Sequence, residues 1–418
     1  MMYTYVGCDS HKNSHTFVFL NCFFEKLGEI AVSSTPSDFE KFFKEAQQYL
    51  LDGTTFAWGF EDVASYGRSI VKFLIDKKQL VKHVNASLVA SERNSQNTLH
   101  KTDSVDAECC ARVLLSRFDK LPLALPDDKL WILKSLVARR QSLVKVNVML
   151  KNQLHSLIPD HYPSYHSFFS LIESKSALAF YETYPSPSLL ADVTLEMLAN
   201  LLKAASKGKV GDKKAKQILL AVEKDGVSVS DYQHVRDFTI QSAVRQLKSN
   251  LGEIEALEIQ LEQFLKYFDS PLTTMQGMNT IMACKFISEI GDIRRFPNAK
   301  ALAKYAGVSP VTYSSGSSNV QYASRRGNRQ LNELFFMLAV NQSLPLGTKR
   351  NLVNPIFHNF YQKKVAEGKT KKQALKSVQR RLVNIVYRMM KDNEDFHNPP
   401  TTQAEPEIDI ETKLKTSI

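Results

Sequence analysis

Four carboxylates stand where they could hold a divalent cation. Asp9 follows one apolar run, Glu61 follows another, and Asp103 and Asp106 lie three residues apart in Lys101-Thr102-Asp103-Ser104-Val105-Asp106-Ala107. Hard cations take oxygen ligands, and carboxylates gathered from separate elements could hold two Mg²⁺ ions against a phosphodiester. Each acid alone has a plainer reading: Asp9 as a turn residue, Glu61 as a helix cap, Asp103 and Asp106 as acids suited to a helix N-terminus. The four together favour a metal site. A second candidate is the polar run Tyr313-Ser314-Ser315-Gly316-Ser317-Ser318-Asn319, which precedes Arg325-Arg326-Gly327-Asn328. A serine hydroxyl on a glycine-permitted loop can attack a phosphodiester and conserve its bond energy as a phosphoserine. Arg325, Arg326 and Arg329 would then hold backbone phosphates. By itself, such a Ser/Gly run reads as a flexible connection.

The acids need elements to position them. Tyr3 to Gly7, Thr16 to Leu20 and Glu29 to Ser33 are short β-branched or aromatic runs separated by turn residues, which predicts an antiparallel meander. Pro36-Ser37-Asp38 opens an amphipathic helix bearing Phe39, Phe42, Phe43, Ala46 and Leu50. Thr54 to Phe60 reads as a buried strand, Tyr66 to Ile75 as a helix, Leu80 to Val84 as a last strand and Asp103 to Leu115 as a closing helix. This order, three strands and then helix-strand-helix-strand-helix, is that of an α/β RNase H-like fold. It puts Asp9 and Glu61 just past two strands and Asp103 and Asp106 on one helix face, where all four could converge. His11 and His15 have a helical metal-ligand spacing but fall on a predicted turn and strand, which argues against zinc.

Composition narrows the partners. A chain of 418 residues can bury two or three cores, and its five cysteines form no C-x-x-C pair, as suits a reducing cytoplasm. No stretch is long and apolar enough to span a membrane. The net charge is +11, yet Arg325 to Lys391 carries 15 Lys or Arg against two Glu, a net of +13. So uneven a distribution predicts a polyanionic partner. Lys371 to Lys391 reads as a helix with Ala374, Val378, Leu382, Ile385 and Met389 facing a core. Lys371, Lys372, Arg380, Arg381 and Arg388 are left for solvent or phosphate.

The middle of the chain is helical. Leu136, Leu143, Leu150 and Leu157 recur every seven residues, and Ile240 to Leu265 follows a four-three spacing interrupted at Glu258. Two long helices in a coiled coil fit this pattern equally well within one protomer or as a dimer seam. The predicted divisions are a metal-binding domain (1–120), coiled-coil helices (121–270) with a helical insertion (about 159–235), a domain with the serine loop (271–396) and a disordered tail (397–418). The glycine turn at Gln276-Gly277-Met278-Asn279 joins helices and offers backbone N–H groups to a phosphate, a weak signal alone.

Val6-Gly7-Cys8-Asp9-Ser10-His11-Lys12, Gly59 to Gly67, Val84-Asn85 and Lys101 to Ala107 resemble the N-terminal DEDD, RuvC-like domain of the insertion-sequence transposase family designated one-ten, which includes Piv-type DNA invertases. Gly277, Glu289-Ile290-Gly291-Asp292-Ile293, Phe296, Tyr305-Ala306-Gly307, Pro310, Ser315-Gly316 and Gly327-Asn328 are similar to that family's C-terminal transposase domain. The chain departs from the pattern at Val63-Ala64, for a small Thr-Gly turn, at Gln276 and Asn279, for Pro and a second Gly, and at Asn332, where an arginine is common. The resemblance implies a cytoplasmic, nucleoid-associated prokaryotic recombinase. Asp9, Glu61, Asp103 and Asp106 would bind Mg²⁺, and Ser315, flanked by Ser314 and Ser317, would form a covalent DNA link. Lys101, Gly277, Gly316, Asn328 and the basic residues named above would contact nucleic acid. It further implies donor and target DNA, an element-encoded bridge RNA, and a homo-oligomer, dimer or tetramer, as partners. A Piv-like invertase, a junction nuclease that uses water, and a nucleic-acid-binding scaffold are the alternatives.

Overall fold

The computed structural model describes residues 2–63, 65–96, 102–124, 127–226, 231–315, 318–322, 327–347 and 351–398. It divides into two compact units, residues 1–132 with 294–297 and residues 133–293 with 298–418.

In the first unit, β1 (Met2–Ser10), β2 (Ser14–Leu20) and β3 (Lys26–Ser33) form the expected antiparallel meander. After α1 (Phe39–Ala46), β4 (Thr54–Phe60) pairs in parallel with β1. After α2 (Arg68–Asp76), β5 (Leu80–His83) pairs in parallel with β4. The sheet order is β3-β2-β1-β4-β5, a mixed arrangement compatible with the RNase H-like expectation. Burial explains it: one cluster gathers Phe17, Phe19, Phe42, Trp58, Phe60 and Leu74, and another gathers Ala57, Val84, Cys109, Cys110 and Leu114. Alternate residues of β4 thus serve different cores, as the period-two strand requires. Two features depart from expectation. β1 runs on to Ser10, so Asp9 lies within the strand and not past it. A further helix, α3 (Ala86–Ser95), precedes α4 (Asp103–Ser116); it is capped by Asn85, whose side-chain oxygen accepts from the Ser87 amide at 2.8 Å.

The second unit is built on α5 (Asp128–Leu157), which begins in the first. It continues with α6 (Lys175–Thr183), α7 (Leu195–Ser206), α8 (Asp212–Asp225) and α9 (Gln233–Leu265). Leu150 and Leu154 of α5 share one core with Ile240, Val244 and Leu247 of α9 and with the intervening helices. The buried stripe of α5 is Leu133, Val137, Leu143, Asn147, Leu150 and Leu154; Leu136 and Leu157 are only half-buried. The break in the apolar spacing at Glu258 is filled by Arg140, whose Nε donates to its carboxylate at 2.8 Å.

The chain then runs through α10 (Thr280–Ile290) and α11 (Ala299–Tyr305) into a hairpin of β6 (Val311–Ser315) and β7 (Ser318–Tyr322), followed by α12 (Arg329–Ser343), α13 (Pro355–Ala366) and α14 (Lys371–Asp392). The run expected as a polar loop is therefore mostly strand. On α14, Ala374, Val378, Leu382 and Met389 are buried and Ile385 is half-buried, while Lys371, Lys372, Arg380, Arg381 and Arg388 are exposed. Among the described residues, no helix is long and apolar enough to cross a membrane. The predicted tail lies outside the described residues from position 399 onward.

Candidate metal and nucleic-acid site

Strand register brings the first two acids together. Cys8 of β1 is the parallel neighbour of Phe60 of β4, so Asp9 and Glu61 are the next residues at the same ends of adjacent strands. Helix α4 supplies the other two, and Gly7 lets it approach. A Cβ at Gly7 would sit 2.1 Å from the Ala107 carbonyl oxygen and 2.3 Å from the Ala111 amide, so only glycine admits the helix backbone this close to β1. Thr102 caps α4 by accepting from the Val105 amide, which leaves Asp103 and Asp106 in the first turn.

The acids differ in setting. Asp9 and Asp103 both meet His11, whose Nε2 lies 3.1 Å from Asp9 Oδ2 and 3.2 Å from Asp103 Oδ1. Asp106 is buried and pairs with Arg93 of α3. Glu61 is half-buried. Burial, together with repulsion from Asp103 and Asp106, holds the Asp9 carboxyl above its ordinary value despite His11; the Asp9 charge in turn raises His11. A surplus of negative charge on oxygen donors is thus concentrated at one end of the sheet. Ligand atoms of Asp9, His11 and Asp103 lie within 4.8 Å of one another, so the donor set fits a hard divalent cation. The neighbouring thiols offer no competing nucleophile: Cys8, Cys109 and Cys110 are buried, and burial pushes Cys109 up to about 11 and the other two well above the ordinary range.

Sequence reasoning missed His11 and Arg93 as partners of the acids. His11 was weighed only against His15, which is buried with neither ring nitrogen partnered among the described residues. Arg93 was hidden with α3, although Asn85 followed by Ser87 carries the mark of a helix start.

In the second unit, Ser315 ends β6 opposite Ser318, while Lys101, Gly316, Ser317, Arg325 and Arg326 lie outside the described residues. The hairpin is anchored at its base. Gly327, at φ +120°, brings the chain against Tyr305 and Gly307, where a Cβ would meet the Gly307 amide at 2.7 Å. Asn328 caps α12 through the Leu331 amide, and its side-chain amide donates to Glu289 at 2.6 Å. Its side chain therefore works within the fold. Asn332, which stands where an arginine is common in the pattern the chain resembles, donates to the carbonyls of Ala306 and Gly307 at 2.8 and 2.9 Å. At the turn before α10, Asn279 caps the helix through the Met282 amide, and the Gly277 carbonyl accepts from Asn341. Arg329, Lys371, Lys372, Arg380 and Arg381 are exposed, with the Arg381 guanidinium 3.5 Å from the centre of the Phe360 ring.

Two family models match the chain: a DEDD transposase model of the IS110 type over residues 6–163, and the transposase IS116/IS110/IS902 family over residues 269–362. The first spans all four acids and the second spans Ser315. The chain is 25% identical over 414 residues, covering 96% of it and 98% of the relative, to an insertion element IS116 uncharacterized 44.8 kDa protein of Streptomyces clavuligerus. It is 28% identical over 297 residues, covering 70% of it and 71% of the relative, to an insertion element IS110 uncharacterized 43.6 kDa protein of Streptomyces coelicolor. Over 134 residues, 32% of the chain and 39% of the relative, it is 33% identical to the pilin gene-inverting protein of Moraxella lacunata.

Proposed function

The chain belongs to the IS110/IS116 family of DEDD transposases, DNA recombinases that use divalent metal, and from that premise we propose that it cuts and rejoins donor and target DNA through a phosphoserine at Ser315. The carrying observation is the convergence of Asp9, Asp103 and Asp106 at the strand ends where Glu61 is in register. In this reading residues 1–120 form a RuvC-like domain. Its four acids would hold two Mg²⁺ ions, whose charge stabilises the oxygens of the phosphoryl group in transfer. The Ser315 hydroxyl attacks phosphorus and loses its proton; one bridging P–O bond breaks and leaves a DNA hydroxyl end. Attack by another DNA hydroxyl on the phosphoserine then restores the serine and closes the strand. The exposed Arg329, Lys371, Lys372, Arg380 and Arg381 neutralise backbone phosphates, with Lys101, Gly277, Gly316, Arg325 and Arg326 completing the nucleic-acid surface, while Asn328 holds the start of α12 beside them. An element-encoded bridge RNA selects the DNA partners, and a homo-oligomer brings the ends together.

The test is to incubate protein, Mg²⁺, element-end DNA and RNA transcribed from the element's flanks, and to look for a covalent protein–DNA adduct. An adduct that forms with Ser315 and vanishes in Ser315→Ala supports the reading. Equal cleavage by both proteins without an adduct would replace it with a nuclease that uses water. The match to a gene-inverting protein favours one second reading, site-specific inversion. The same residues serve that outcome, and a substrate with inverted sites separates the two.

A further inference from the structure

The helical segment between α5 and α9 has no part in the chemistry above, yet it holds a cavity of about 430 Å³. That volume is within the range of small-ligand pockets. Its floor is aromatic: Tyr165 and Tyr181 are buried, with Phe169 half-buried beside them. Its wall is a pair of exposed imidazoles, His155 and His166, with ring centres 6.0 Å apart and planes inclined by only 20°. The Tyr165 hydroxyl lies 3.0 Å from His155 Nδ1 and sets that ring's orientation, and the His166 ring sits 3.9 Å from the Tyr165 ring. Polar groups stand at the opening. Asn152 is exposed, and Lys151 Nζ donates to Glu173 Oε1 at 2.9 Å.

Flat rings with fixed faces, an amide that both donates and accepts, a carboxylate and an ammonium together suit one chemical class: a planar heterocycle with a hydrogen-bonding edge and an attached phosphate. We propose that this cavity takes an unstacked base of a single-stranded nucleic acid. The base lies against the His155–His166 wall, Asn152 and Glu173 read its edge, and Lys151 neutralises the adjoining phosphate. Aromatic and histidine side chains stack on bases that a duplex would keep paired, so the site selects single strands over duplexes. The proposal rests on the nucleic-acid-processing reading above and adds a subsite remote in sequence from both the acids and Ser315.

The test uses the full chain and short oligonucleotides carrying one 2-aminopurine, as single-stranded RNA, single-stranded DNA and duplex. Binding to a single strand should quench the fluorophore, and duplex should not. His166→Ala and Asn152→Ala should each remove the quench and weaken single-strand binding, the former by about 5-fold or more. Both side chains are exposed, and unchanged thermal unfolding of the variants would confirm that the fold is intact. Tighter binding of RNA than DNA would identify the 2′-hydroxyl as part of the ligand, and equal binding would identify either strand; both support the site. Single-strand binding and quenching unchanged in both variants would overturn the subsite while leaving the transposase reading intact. No single-strand binding by the native chain would overturn the subsite too, and adduct formation at Ser315 would then judge the transposase reading separately.

Discussion

The carboxylate cluster and the serine hairpin are built on opposite principles. The acids come from positions 9, 61, 103 and 106, and their meeting depends on parallel pairing of β1 with β4 and on the absence of a side chain at Gly7. Ser315 comes from a local antiparallel hairpin, and what fixes the hairpin lies at its base, in Gly327, Asn328 and Asn332. The first region concentrates like charge and so is prepared for a cation. The second clamps a short ribbon by hydrogen bonds that asparagine amides donate to a carboxylate and to backbone carbonyls, with no ion required. The acids and the proposed nucleophile, Ser315, can thus be altered separately.

The largest expected effect is on catalysis. Mg²⁺ should raise the melting temperature of the native chain, and Asp9→Asn should abolish that rise and lower strand exchange by about 10³-fold or more. Ser315→Ala should lose as much exchange yet keep that rise. If the serine variant also lost it, the two regions would not be independent. Next is Gly7→Val, which forces α4 away from β1 and should cost about 3 kcal/mol in denaturant unfolding; a neutral result would show that the helix shifts freely. Asn332→Ala removes a donor from the buried carbonyls of Ala306 and Gly307 and should cost about 1–2 kcal/mol, leaving the Mg²⁺ response unchanged.

The smallest effect is one of pH. Asp9 and His11 are both raised in the fold, so in metal-free protein each loses its contribution to stability as pH rises through its folded value. Metal must displace those protons. The Mg²⁺-induced gain in melting temperature should therefore grow from mildly acidic to alkaline pH. A flat profile in calorimetry would remove His11 from the ion's surroundings.

Much of the first region was legible because its signals are periodic. The alternation in β2 and β4 and the stripe of α1 reflect burial that a sequence displays directly, and Glu61 and Asp103 fall at element ends as read. The rest depended on contacts that no local pattern carries. Asp9 proved to lie inside β1 because pairing with Thr16 extends the strand through polar residues. Arg93 matters only through its pairing with Asp106. In the second region, Val311, Tyr313, Val320 and Tyr322 alternate as strand residues should, but Ser and Gly between them masked the ribbon. Asn332, noted in the sequence as a departure from a common arginine, proved to be a staple to the carbonyls of Ala306 and Gly307, a role that no local pattern displays.

The alignment of Cys8 with Phe60 has one more consequence. Side chains alternate along a strand, so a slip of one residue between β1 and β4 would turn one acid to the opposite face. A copy folded out of register would then lack one of the carboxylates at that end of the sheet, instead of holding all of them loosely. The pairing register thus acts as an interlock: only a correctly assembled sheet presents the full set of carboxylates.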